Sequence, residues 1–190
     1  MDNPYISNAA QYLIDAVFGV YLLMVMLRFL LQLAKADFYN PISQFLVKVT
    51  NPPLRPLRRI IPGLWGIDLA SVVLLFALQA TALVLSHFIA GIAIHLPGLL
   101  VMTVGELLSL TLNCYMITIL AQVILSWVGP AGRHPVVALL YTLNEPIMRP
   151  ARRLLPPFSG LDLSPILVII AIQLTKILVV APIFDLSRAL

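Results

Sequence analysis

The sequence predicts an all-α membrane protein, with four transmembrane helices arranged as two parallel two-helix repeats and amphipathic, Pro/Arg-rich segments in its loops. Three observations carry that expectation. Hydrophobic residues make up 61% of the 190 residues and charged residues only 11%, with a mean hydropathy of +0.99. A soluble domain is about half apolar and about a quarter charged, so a chain this poor in charge needs lipid to cover it. Four apolar stretches are long enough to cross a bilayer, and one Pro/Arg motif occurs twice.

A hydrocarbon core of about 30 Å takes about 20 helical residues to cross. The stretches run from about Ala9 to Leu33, from about Leu69 to Ile94, within Leu99 to Val128, and from about Leu163 to Ile183. Backbone groups find no water in hydrocarbon, so each stretch must be helical. The N-terminal segment MDNPYISNAAQYLIDAV has neither a basic n-region nor a small-residue cleavage site, so the first stretch is expected to be a retained helix.

Between the second and third spans lies HLPGLL, a short apolar turn without Lys or Arg. The other connections are long and polar, about Ala34 to Asp68 and Gly129 to Asp162. The first holds Lys35, Lys48, Arg55, Arg58 and Arg59; the second holds Arg133, Arg149, Arg152 and Arg153. Basic loops stay on the cytoplasmic side. Both long loops of this multi-pass protein are therefore expected on the cytoplasmic side, with both termini and the HLPGLL turn outside. That outside is the periplasm if the membrane is the inner membrane that the resemblance below implies.

NPPLRPLRRIIPGLWGIDLAS (Asn51–Ser71) matches NEPIMRPARRLLPPFSGLDLSP (Asn144–Pro165). Asn51 pairs with Asn144 and Pro53 with Pro146. After one inserted residue, Arg55, Pro56, Arg58 and Arg59 pair with Arg149, Pro150, Arg152 and Arg153. Pro62, Gly66, Asp68 and Gln79 follow with Pro156, Gly160, Asp162 and Gln173. The repeats are thus residues 1–94 and 95–190. Two crossings return the chain to the same side, so the copies share one orientation and a pseudo-two-fold axis along the membrane normal.

Proline cannot continue a helix past its first turn. The motif loop is therefore expected to be a set of short turns with at most one helical turn, Leu57 to Ile60. Upstream, Ile42, Phe45, Leu46 and Val49 fall on one face at helical spacing, which reads as an in-plane amphipathic helix. Arg55, Arg58 and Arg59, with Arg149, Arg152 and Arg153, are placed to reach anionic headgroups or an acidic partner, each gaining about 1 kcal/mol near an anionic leaflet. Asp68 and Asp162 directly precede spans and read as helix caps.

Ionisable residues in hydrocarbon are costly and mark candidate sites. Arg28 lies toward the loop end of the first span, where it can snorkel, and Asp15 near the opposite end. Lys176 sits mid-span in the fourth helix and needs a partner, with Glu106 or Asp15 as candidate carboxylates. Gln32, Asn113, Gln122, Gln79 and Gln173 read as interhelical hydrogen-bonding groups. His87 and His95 form no ligand constellation, and Cys114, the single cysteine, excludes an internal disulfide. The sequence contains no GxSxG, HExxH, P-loop or GxGxxG motif. No catalytic residues, metal or cofactor are expected, and the chain is read as no enzyme.

DFYNPISQFLVKVTNPPLRPLRRIIP (Asp37–Pro62) and its second copy resemble, over the whole chain, the YggT family of bacterial integral membrane proteins, related to plastid YlmG proteins. The resemblance implies an inner-membrane protein linked to osmotic-stress tolerance, potassium uptake and envelope or cell-division roles; the plastid relatives are linked to nucleoid distribution and cytochrome b6 haem attachment. It supplies no catalytic or ligand residues to carry over. The copies depart from each other at Glu145 and Met148, so their loops need not bind the same thing. The expected function is non-enzymatic support of the envelope under osmotic stress, by organising membrane-protein partners, homo-oligomers or anionic lipid without direct nucleic-acid binding. The alternative is a potassium-transport component using Arg28, Glu106, Lys176 and the paired glutamines.

Overall fold

In a computed structural model the described residues are 4–64, 66–93, 95–128, 134–155 and 162–190. Arg133, Pro156, Pro157 and Gly160 of the sequence analysis lie outside them. The chain forms helices α1 (Pro4–Leu33), α2 (Pro41–Ile60), α3 (Leu69–Ala90), α4 (Leu96–Val128), α5 (Pro135–Leu154), α6 (Ser164–Thr175) and α7 (Ala181–Ala189). A π-helical turn, Lys176–Val180, joins α6 to α7, so the two form one span from Ser164 to Ala189. With α1, α3 and α4 this makes four helices of membrane-crossing length and hydropathy among the described residues.

The spans are apolar all round and pack through only part of their surface. Side chains such as Val73, Leu85, Ile117, Ile170 and Leu178 point outward, as expected where lipid is as apolar as the core. The protein is a multi-pass membrane protein. At about 1.5 Å per residue, α1 is about 45 Å long and α4 about 50 Å, whereas α3 at about 33 Å matches the hydrocarbon more closely. The first helix of each repeat thus overshoots the second.

The apolar core falls into two clusters, and the first reaches across both repeats through Cys114, Leu139 and Leu143. Val25, Leu54 and Leu74 bring α1, α2 and α3 together in the first; Ile119, Met148 and Val168 do the same for α4, α5 and α6 in the second. Where α7 closes on α4, a Cβ added at Gly98 would sit 2.8 Å from the Ser187 carbonyl oxygen, so a residue without a side chain is required there.

The helices α2 and α5 correct the reading of the motif as short turns. Each begins on a proline and runs 20 residues, through Pro52, Pro53 and Pro56 in α2 and through Pro146 and Pro150 in α5. An internal proline costs about 3 kcal/mol of helix stability, so tertiary contacts must hold these helices. In α2 the buried stripe is Ser43, Leu46, Thr50 and Leu54, at helical spacing, and it packs on α1 and α3. Asn40 caps the start, its side chain accepting from the Ile42 amide at 3.0 Å, with Pro41 behind it. Pro53 cannot serve the Val49 carbonyl four residues back, and the Tyr21 hydroxyl from α1 donates to that oxygen at 3.5 Å. The expected apolar face is divided between the bundle and the outside. Leu46 is buried, but Phe45 is 54% exposed.

The equal lengths also correct the internal alignment. With α2 and α5 in register no insertion is needed, and each residue of the first copy corresponds to the one 94 positions later, Pro41 with Pro135 and Ile60 with Leu154. Asn144 is then the counterpart of Thr50, and Glu145 the counterpart of Asn51.

Candidate functional site

The polar residues gather at the end of the bundle where α2 and α5 lie, in two related clusters. In the first, Arg28 Nη1 on α1 donates to Thr50 Oγ1 on α2 at 2.6 Å, and Thr50 Oγ1 donates to the Leu46 carbonyl. In the second, the corresponding positions hold an amide pair. Asn144 Nδ2 donates to Gln122 Oε1 at 2.8 Å, and Thr118 Oγ1 donates to Asn144 Oδ1 at 2.8 Å. Both pairs join positions 22 apart in sequence. Arg28 is only 4% exposed, so the expected snorkelling into water is replaced by confinement beneath α2.

A second element ties the end of each motif helix to the next span. Arg58 grips Asp68 with two donors, Nε to Oδ1 at 3.4 Å and Nη2 to Oδ2, and Ser71 Oγ donates to Oδ2 at 2.6 Å. Burial by itself would raise the Asp68 carboxyl, but the hydrogen bonds from Arg58 and Ser71 and the Arg58 charge outweigh it and hold it below the ordinary carboxylate value. Asp68 occupies the N-cap position of α3, yet its side chain makes no capping hydrogen bond. The expected cap is instead the anchor of an ion pair. The approach depends on a turn in which the Leu64 and Ile67 backbones exchange hydrogen bonds and Gly66 takes φ +82°, a conformation that favours glycine.

The copy in the second repeat is wetter. Arg152 Nε donates to Asp162 at 3.2 Å and Arg152 Nη1 to Glu145 at 2.9 Å. Asp162, one residue before the Leu163 N-cap of α6, also accepts from the Ser164 amide at 2.9 Å. Its side chain is 39% exposed, against 6% for Asp68. Burial would raise Asp162 too, and the Ser164 hydrogen bonds and Arg152 again bring it below its usual value.

An open cavity of about 1320 Å³ lies beside the first cluster, lined by Arg28, Lys48, Arg55, Arg58 and Asp68 among others. Arg55 and Arg59 are exposed and engage no partner among the described residues; Arg149 and Arg153 are exposed on α5. Arg149 lines a smaller hollow with Tyr141 and Glu145.

The remaining candidates lie deeper in the spans. Lys176 pairs with neither Glu106 nor Asp15. Its ammonium donates to Asn113 Oδ1, at the start of the π-helical turn. Glu106 is half-buried on α4. Gln173 reaches the Met116 sulfur at 3.6 Å, and Gln79 is half-buried without a hydrogen bond among the described residues. Thus Asn113, Gln122 and Gln173 bond between helices as expected, and Gln79 does not among the described residues. The described residues bring together no group of three or more His, Cys, Asp or Glu side chains able to hold a metal.

Thr50, Tyr21 and Ser71 take part in these contacts without having stood out in the sequence, and Asn144 stood out only as the partner of Asn51. The signal that marks Thr50 is the gapless register, which sets it opposite Asn144.

The comparisons with known proteins follow the same register. The family model described as CCB3/YggT matches residues 7–89 and again 101–183, a shift of 94. An uncharacterised protein of Pseudomonas aeruginosa is 44% identical over 177 residues, covering 92% of this chain and 90% of its own. An uncharacterised protein of Vibrio alginolyticus is 39% identical over 173 residues (90% and 93% covered). The Escherichia coli K12 protein YggT is 39% identical over 167 residues (86% and 85% covered). No solved structure matches the chain. With both copies matched and relatives aligned over most of their length, the chain belongs to the CCB3/YggT family.

Proposed function

We propose that this protein is a non-enzymatic organiser of the bacterial inner membrane, supporting osmotic-stress tolerance by holding lipid and membrane-protein partners against α2 and α5. The observation that carries this reading is the duplicated helix itself. Each copy pins one stripe to the bundle, and Arg55 and Arg59 on α2, with Arg149 and Arg153 on α5, stand outward at the same positions. On this reading both helices face the cytoplasm, where basic residues gain from the anionic leaflet. Arg58 and Arg152 are committed to aspartates, so the docking charge resides in the other four.

Replacing Arg55, Arg59, Arg149 and Arg153 together with Gln leaves both ion pairs intact. The expected result is a normal membrane level of protein with lost growth after a hyperosmotic step and lost partner cross-links. Unchanged growth and cross-links would sink the proposal. Labelling an Arg59→Cys variant in a Cys114→Ser background tests the sidedness, with reaction expected from the cytoplasm.

One observation favours a second reading, a potassium-transport component. Lys176 lies within the fourth span, at a π-helical turn and against a neutral partner, and such turns recur at functional sites. Potassium flux from proteoliposomes that disappears with Lys176→Met would replace the organiser reading. Flux equal to empty liposomes would remove the transport reading.

A further inference from the structure

We propose that the cavity of the first repeat is a binding site for a phosphate-type oxyanion, with the buried Arg28 as its floor and Lys48, Arg55 and Arg58 as its walls. The second repeat has no equivalent charge at the position of Arg28. This inference goes beyond the docking role, with which it shares Arg55, because its floor is the buried guanidinium of Arg28 and not an outward arginine.

The case begins with an unbalanced charge. Arg28 is 4% exposed and its guanidinium cannot shed its proton. A buried charge is stable only when paired or fully hydrogen-bonded. Among the described residues its hydrogen bond goes to a neutral hydroxyl, Thr50 Oγ1, and its Nε has no partner. The carboxylate on the same cavity wall is Asp68, already gripped by Arg58 and Ser71. Four cations and one carboxylate line this space, and Lys48 and Arg55 engage no other group among the described residues. The surplus is positive and partly desolvated.

The second repeat shows that the fold does not need an arginine here. Gln122 takes the place of Arg28, Asn144 the place of Thr50, and the amide pair closes on itself through Thr118. Both helices stay packed. A buried arginine where a neutral pair suffices is what a ligand of opposite charge requires. The planar fork of donors matches two oxygens of one phosphate, and Lys48 and Arg55 add charge from the rim. The shared chemistry is a phosphate group, carried either by an anionic lipid or by a soluble phosphate.

The test uses the full chain, delipidated in a zwitterionic detergent, with binding read by thermal shift and by native mass spectrometry. One arm adds inorganic phosphate against chloride at equal ionic strength. The other adds phosphatidylglycerol against phosphatidylcholine. Binding in the first arm identifies a soluble anion, and binding confined to the second identifies a lipid headgroup. The informative variant is Arg28→Gln with Thr50→Asn, which installs the second repeat's neutral pair, and it is expected to weaken binding by about tenfold or more. Arg55→Gln, at an exposed position that cannot compromise the fold, is expected to weaken it several-fold. Arg153→Gln, on the other repeat, is expected to leave it unchanged. Wild type that binds in neither arm overturns the proposal. So do Arg28/Thr50 and Arg55 variants that bind within about twofold of wild type.

Discussion

The two repeats solve the same packing problem with different polar chemistry. In the first, two charged residues are buried apart from each other: Arg28 lies under α2, and Asp68 is nearly closed off by Arg58 and Ser71. In the second, the buried pair is neutral, Gln122 with Asn144, and the ion pair is moved to the surface with Glu145 as a second acceptor. The apolar positions hardly change, with Val25, Leu54 and Leu74 answered by Ile119, Met148 and Val168. The difference teaches that the scaffold is set by the apolar register. Charge is added on top of it, in one copy, at positions the fold tolerates either way.

Breaking the aspartate anchors should separate the copies most. Asp68→Ala strands Arg58 and the Ser71 hydroxyl at a site where the carboxylate side chain is 6% exposed. We expect a loss of about 2–3 kcal/mol, the value for a removed buried partner lowered because Arg58 itself is half-solvated. Asp162→Ala removes an exposed pair and should cost under about 1 kcal/mol. Unfolding in mixed detergent micelles measures both, and equal losses would erase the distinction between the repeats.

The neutral pair offers the next largest effect. Asn144→Leu leaves Gln122 and Thr118 without their partner at a fully buried position, for an expected loss of about 2 kcal/mol. Arg28→Gln with Thr50→Asn should instead cost only about 1 kcal/mol, because it copies the Gln122–Asn144 pair and lacks only the Thr118 donor, whose place Met24 takes. A large loss in that double variant would mean that the first repeat depends on the charge for folding.

Acid sharpens the comparison further. Asp68 ionises below its ordinary value of 3.8 in the folded protein, so its contribution is fully present above that value and is lost as pH falls through the folded one. The thermal midpoint of wild type relative to Asp68→Asn should be constant from neutral pH to about pH 5 and then shrink below pH 4. A difference that disappears nearer pH 6 would contradict the depressed ionisation. A small effect is also expected at Gly66, where φ +82° makes Gly66→Ala cost about 1 kcal/mol, read as a lower midpoint with the spans unchanged.

Much of the molecule was legible without coordinates. The four spans, the duplicated motif and the family could be read because lipid imposes a length and hydropathy on any helix that crosses it. The boundaries drifted at the ends, as at the second span, which stops at Ala90 before the left-handed Gly91, and at the fourth, which continues past Ile183 to Ala189. The motif arginines and aspartates were visible as residues, but not their division of labour. Arg58 and Arg152 are consumed by ion pairs while Arg59 and Arg153 stay outward, since neighbours in sequence leave a helix in different directions.

By itself the sequence determined the class, the spans and the two-copy plan, all of which follow from local hydropathy and self-similarity. Only the tertiary structure decided that α2 and α5 run unbroken through their prolines, because packing on the spans and a hydroxyl from Tyr21 offset what local propensity forbids. It also decided which polar groups meet. Arg28 with Thr50, Gln122 with Asn144 and Lys176 with Asn113 are contacts between helices distant in sequence, and their partners are chosen by depth and facing, which no local pattern encodes.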